Sequence, residues 1–137
     1  MIYITRKENF NAAHRIYLKE LSDEDNYIHF GACSNPNWHG HNYTLFVTVK
    51  GNFNSDNGYL MDLKKLSRII KTFVIEKVDH KNLNLEVDFM KNIQPSSENI
   101  AIAVFNVLKP ELEKEGVQLH VIKLYETENN FVEYFGE

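Results

Sequence analysis

A handful of side chains carries most of the chemistry open to this chain. His39 and His41 flank Gly40 in the stretch Cys33-Ser34-Asn35-Pro36-Asn37-Trp38-His39-Gly40-His41-Asn42-Tyr43, which runs into the strand-like Thr44-Leu45-Phe46-Val47-Thr48-Val49. Residues two apart on a strand share a face, so both imidazoles project the same way. Two imidazoles make half of a metal site and need a further ligand from elsewhere. His14, at the end of another strand-like run, offers a third nitrogen. Three protein ligands with an open fourth position is the pattern of a catalytic zinc (Zn2+). The competing reading of the His-x-His pair is a surface coincidence. His29 and His120 lack such context and read as ordinary surface or packing histidines.

The only cysteine, Cys33, stands six residues before His39. A thiolate is a good base and nucleophile once a nearby cation or metal favours its ionisation. A lone cysteine is also commonly a small buried hydrophobe. Asn35 and Pro36 place Cys33 in a turn, where a thiol can be reached. Asp79-His80 pairs a carboxylate with an imidazole at a helix end; such a carboxylate fixes the tautomer and frees the other nitrogen to move a proton. The plainer reading is a polar helix terminus. Glu126 follows the apolar run Val121-Ile122-Lys123-Leu124-Tyr125. Its carboxylate could accept two parallel N–H bonds from a guanidine-like heterocycle edge, or sit solvated at a rim.

The elements that must position these groups follow from periodicity. Ile2 to Ala13 alternates as a strand ending at His14, with Phe10, Ala12 and His14 on one face; the polar Arg6 to Asn9 hints at a bulge. Residues 15 to 38 hold no period and read as a long loop. A second strand spans about His39 to Lys50, and Asn54 to Gly58 is a turn. Asp62 is an N-cap for an amphipathic helix carrying Leu63, Leu66, Ile70, Phe73, Val74 and Lys77. Val78 to Leu83 breaks it. Pro95-Ser96-Ser97-Glu98-Asn99 starts a second helix, capped by serine, that runs through Leu112 and ends at Gly116. Val117 to Glu126 and Phe131 to Phe135 complete the set. The order β-β-α-α-β-β predicts an α+β domain over residues 1–137, with an antiparallel sheet and two helices on one face. The other sheet face would need covering, which makes a homo-oligomer plausible.

The totals narrow the class. With 137 residues the chain is long enough for one domain with a real core. A net charge of −4 argues against nucleic-acid partners, which call for a basic face. No apolar run approaches the roughly 20 residues that span a bilayer, so no membrane partner is expected. The N-terminal Met1 to Lys7 lacks the apolar core of a signal peptide. A single cysteine excludes an intrachain disulfide, and the cytoplasm is the expected compartment.

Taken together the pieces resemble the 6-pyruvoyl-tetrahydropterin synthase family, which includes the bacterial 6-carboxytetrahydropterin synthases. Phe10-Asn11-Ala12-Ala13-His14-Arg15 resembles the family's first zinc motif, and Cys33 to Tyr43 its Cys…His-Gly-His-Asn-Tyr segment. Val78-Asp79-His80-Lys81-Asn82-Leu83 resembles its proton-relay motif, and Pro95 to Asn99 with Tyr125-Glu126-Thr127 its two pterin-binding stretches. The resemblance runs nearly end to end and implies a tunnelling fold (T-fold), with subunits closing into a barrel as a trimer or a hexamer of two stacked trimers. It implies that His14, His39 and His41 bind zinc, that Cys33 is the general base with Asp79 and His80 as its relay, and that Glu126 anchors a pterin ring helped by Ser96, Ser97 and Glu98.

The substrate implied is 7,8-dihydroneopterin triphosphate. Proton redistribution from side chain to ring and loss of triphosphate would give 6-pyruvoyl-tetrahydropterin; the sister branch, serving queuosine synthesis, cleaves the side chain to a 6-carboxy product and acetaldehyde. Asn11 departs from the family's usual Ser, and Ser96-Ser97 from its usual Thr. Five residues separate Cys33 from His39, as in the pyruvoyl-forming branch. Arg15, Lys19 and Lys81 are candidates to hold the triphosphate. A zinc- and pterin-binding protein without turnover is the reading from another class; the Cys33, Asp79 and His80 set argues against it.

Overall fold

The computed structural model describes residues 1–137. Two long strands, β1 (Ile2–His14) and β2 (His39–Gly51), pair antiparallel without interruption from Ile2 opposite Gly51 to His14 opposite His39. β4 (Gln118–Tyr125) pairs antiparallel with β2, and β5 (Phe131–Tyr134) with β4. The short β3 (Lys81–Asn82) runs parallel to β1 at Ala12–Ala13, so the sheet order is β3-β1-β2-β4-β5. That one parallel step makes the sheet mixed where pure antiparallel pairing is expected from the sequence; two residues are too few to carry a periodic signal.

Helix α2 (Leu63–Ile70) opens on Asp62, whose carboxylate accepts the Lys64 N–H at 2.8 Å. A π-helical turn (Lys71–Ile75) and a last turn α3 (Glu76–Val78) continue it. Leu66, Ile70, Val74 and Val78 are all fully buried. Steps of four residues drift about 40° each around a regular α-helix. The wider π turn takes up that drift, which is why Val78 reaches the core and not Lys77. Helix α4 (Ser97–Glu113) is capped by Ser96 and buries Ile100, Ala101, Val104, Leu108 and Leu112. Both helices pack on the sheet face formed by Phe10, Ala12, Tyr43, Leu45, Val47, Val49, Ile122 and Leu124.

Two further expectations need correcting. The polar middle of β1 carries no bulge: Glu8 turns inward and accepts from the Ser67 hydroxyl (2.6 Å) and from Arg6 Nε (2.8 Å). Burial alone would push that carboxyl up, but these donors and the Arg6 charge outweigh it and hold it below its ordinary value. The register shift lies between β2 and β4, at Thr48/Val49. Within the expected loop 15–38 stands a helix, α1 (Asp23–Phe30), and a 3₁₀ turn, Gly31–Ser34. α1 buries only Asn26, so no apolar period betrays it. Its signal was the cap: Ser22 accepts the Asp25 N–H at 3.0 Å, and Asp23, Glu24 and Asp25 fill the first turn.

The second sheet face carries no helix. It presents a polar ladder between β1 and β2: Thr5 to Thr48 (2.7 Å), Thr44 to Asn9 (3.1 Å) and Asn11 to Asn42 (2.7 Å). No helix is long and apolar enough to cross a membrane. Because Leu45 sits fully buried on the central strand, Leu45→Ala should lower unfolding free energy by about 2–5 kcal/mol in a denaturant titration. A loss far under about 2 kcal/mol would contradict the packing described.

Candidate metal centre and the cavity beside it

The register of β1 on β2 builds the centre. His14 is the Cα partner of His39, and Ala12 of His41, so the three imidazoles meet on the helix-covered face. Their ring centroids lie 4.5, 5.1 and 5.0 Å apart, and one ligand atom from each falls within 4.8 Å of the others. Gly40 keeps the pair close to β1: a Cβ there would stand 3.1 Å from the Ala12 carbonyl oxygen.

His14 Nδ1 donates to the Pro95 carbonyl at 2.8 Å, which fixes the tautomer and leaves Nε2 as the lone-pair nitrogen. The buried Tyr43, stacked on Phe10 at 4.8 Å, places its hydroxyl 3.4 Å from the same Nδ1. Burial pushes the His14 imidazolium down despite that carbonyl, with the His39 and His41 charges adding to the effect. His39 is lowered in the same way, first by burial and then by His41, against the pull of Glu126. Both are therefore neutral near pH 7, the form that ligates a metal. His14 Nε2, His39 Nδ1 and His41 Nε2 are buried without a hydrogen-bond partner. Three such orphans in one spot are costly by themselves; a cation bound among them accounts for all three. The donor set fits a metal with one position left open.

A cavity of about 340 Å³ adjoins the cluster, walled by His14, Ile16, Cys33, Ser96, Ser97, Glu98, Glu126, Asn130, Phe131 and Val132. Glu126 follows the end of β4 with one carboxylate oxygen hydrogen-bonded and the other facing His41. Oε2 accepts the Ser97 hydroxyl at 2.7 Å, and Oε1 stands 3.5 Å from His41 Nε2, outside hydrogen-bond geometry. Ser96 is committed to its helix cap, accepting the Asn99 N–H. Cys33 is exposed, which removes the buried-hydrophobe alternative, and it belongs to the 3₁₀ turn just before Asn35-Pro36.

Asp79 and His80 are elsewhere. They follow α3 and extend the β3 pairing along β1: Asp79 Oδ1 accepts the Asn11 N–H at 2.8 Å and His80 N–H donates to the Asn11 carbonyl at 2.6 Å. The second Asp79 oxygen lies 3.0 Å from His80 Nδ1, so the pair is assembled as expected. The Asn11 N–H, then His80, hold the Asp79 carboxyl below its ordinary value. Yet neither residue lines the Cys33 cavity, and the His80 side chain is 81% exposed. His120 lies between Tyr3 and Phe135 with ring centroids at 4.8 and 5.6 Å, a packing histidine as expected.

Sequence reasoning missed the parts that hold the centre in place. Pro95 acts through a carbonyl and Tyr43 through a hydroxyl beneath the histidines, and neither role has a sequence signature. Arg15 and Asn84 join the chain segments around the cavity. A larger cleft of about 680 Å³ opens beyond Tyr17 and Gln94, bordered by Lys19 but by none of the expected site residues.

The family model described as 6-pyruvoyl tetrahydropterin synthase matches residues 3–137. The chain belongs to that family. Among its relatives in the 6-pyruvoyl tetrahydropterin synthase family, the Homo sapiens protein named 6-pyruvoyl tetrahydrobiopterin synthase is 41% identical, over 98% of this chain and 91% of its own length. The Dictyostelium discoideum protein of the same name is 42% identical, over 99% and 97% respectively. The solved 6-pyruvoyl tetrahydropterin synthase of Caenorhabditis elegans superposes with a TM-score of 0.90 at 37% identity, covering 99% of this chain and 96% of that one. The fold is the family's T-fold.

Proposed function

We propose that this chain is a zinc-dependent lyase that converts 7,8-dihydroneopterin triphosphate to 6-pyruvoyl-tetrahydropterin with loss of triphosphate, working as one domain over residues 1–137 in the cytoplasm. The observation that carries the reading is the cluster of three unpartnered histidine nitrogens beside a cavity that His14 lines together with Cys33 and a Ser97-bound Glu126. His14, His39 and His41 hold the zinc. When bound, the metal supplies Lewis-acid stabilisation of negative charge developing on the substrate's side-chain oxygens.

Glu126 supports pterin anchoring because Ser97 fixes its carboxylate at the cavity wall, where a pterin's N–H edge can donate to both oxygens. Ser96 and Glu98 shape the same wall. Cys33, exposed in that cavity, takes a proton from a side-chain carbon. The ring then gains what the side chain loses, and no redox cofactor is required.

Asp79 and His80 form a preassembled pair on the far edge of β1, so their role as the proton relay for Cys33 requires a second copy of the chain. The uncovered polar sheet face and the part of β1 that the short β3 leaves unpaired support such a homo-oligomer, a trimer or a hexamer of two trimers. On this reading each active site is completed between subunits.

The test is mass spectrometry of the products formed by zinc-loaded protein from 7,8-dihydroneopterin triphosphate without oxygen. The 6-pyruvoyl product is expected, in line with the five-residue interval between Cys33 and His39. A 6-carboxy product with acetaldehyde would move the chain to the queuosine-type branch. Tight pterin binding without turnover would make it a binding protein.

A further inference from the structure

The residue after the buried His14 makes contacts that a substrate-binding arginine would not. Arg15 Nε donates to the Ser34 carbonyl at 2.7 Å, and its terminal amino group donates to Asp23 Oδ1 at 2.7 Å. The guanidinium lies 4.0 Å from the centroid of the Tyr17 ring, and the side chain keeps only 11% of its surface exposed. The next residue, Ile16, donates its N–H to the Cys33 carbonyl at 2.9 Å. Two consecutive carbonyls, those of Cys33 and Ser34, are thus held by the two residues that follow His14. Asn84 closes the other side, accepting the Arg15 N–H and donating to the Arg15 carbonyl, both at 2.9 Å.

The consequence is geometric. The thiol sits on a four-residue 3₁₀ turn, with no apolar anchor of its own, while His14 sits at the end of a long paired strand. What sets the distance between them is this two-point attachment. A guanidinium can serve two acceptors at once because its donors diverge in a fixed plane; an ammonium is a single point. Its donors toward Ser34 and Asp23 are spent, and one face is covered by Tyr17.

We propose that Arg15 is a positioning residue that locks the Cys33 turn against the metal centre, and that it does not hold the substrate's phosphates. The proposal deepens the lyase reading, since it rests on Cys33 being the working base. It is distinct from that reading in what it predicts for a chain with a single thiol.

Three variants test it: Arg15→Met, Arg15→Lys and Asp23→Asn. The readouts are the pH profile of Cys33 alkylation by iodoacetamide, bound zinc, and steady-state kinetics. Both Arg15 variants should change the alkylation profile, keep their zinc, and lose up to about 10²-fold in kcat, the cost of a misplacement near 1 Å. KM for the pterin triphosphate should stay within about twofold, since ground-state binding is untouched. Asp23→Asn, which removes the charge from one arm at an exposed carboxylate, should shift the profile in the same direction by less and guards against misfolding of the Arg15 variants. Recovery of wild-type kcat by Arg15→Lys would overturn the proposal, because it would show that charge alone matters. So would a raised KM with unchanged kcat and alkylation, the mark of a phosphate contact. If the wild-type chain turns over no substrate, the lyase reading fails, while the alkylation profiles still report on the clamp.

Discussion

His39→Ala protein should come off purification without zinc and without turnover. The three histidine nitrogens are placed by backbone register, with His14 opposite His39 and His41 two residues further along β2. Removing His39 leaves two nitrogens, too few to hold a cation against water. Loss of an outer-shell partner of a metal typically costs 10–100-fold in affinity, and loss of a direct ligand should exceed about 100-fold. Metal analysis by mass spectrometry against the wild-type protein gives the answer, and full metal retention in His39→Ala would refute the three-histidine site. A second consequence separates metal loss from misfolding. The metal-free chain buries three imidazole nitrogens without partners, and the substitution removes one of them. A chelator should therefore lower the melting temperature of the wild type but leave that of His39→Ala unchanged, because a ligand stabilises only the state that binds it.

Cys33→Ala should reduce turnover by between about 10² and 10⁴-fold, the usual contribution of a positioned base. Its other properties should barely change. The thiol is exposed, and the hydrogen bond that ties the turn to Ile16 uses the Cys33 carbonyl, which alanine keeps. Pterin affinity should hold as well, since the Ser97–Glu126 pair stands on α4 and the end of β4, not on the 3₁₀ turn. Isothermal titration with a pterin and initial-rate kinetics separate the two effects. Undiminished turnover would sink the base assignment, and lost pterin affinity would show that Cys33 belongs to the binding wall.

Much of this was legible in the residues. Alternation in β1 and β2 located His14, His39 and His41 on shared faces, because a strand's two-residue period ties position to direction. Asp62 and Ser96 announced the starts of α2 and α4 through side chains that satisfy free amides. Cys33 and Glu126 stood out by type and context, and the structure brings them to one cavity. Asp79-His80 was legible as a pair, with the Asp79 carboxylate 3.0 Å from the ring. That the pair lies outside the cavity lined by Cys33 was not. Helix α1 escaped notice because its only buried residue is a polar one. Asn26 accepts the Leu18 N–H and donates to the carbonyls of Leu18, Leu21 and Ser22, so the segment is ordered by local hydrogen bonds and not by a core.

The sequence alone determined which elements form and which side chains can bind a metal or move a proton, since periodicity, caps and donor chemistry are properties of neighbouring residues. Only the tertiary structure decided who meets whom. The strand register set His14 opposite His39, the chain leading into α4 brought Pro95, 81 residues away, against His14, and the Arg15 contacts set the Cys33 turn beside it. Those contacts are long-range and pass through backbone carbonyls, which every residue carries and no sequence pattern marks.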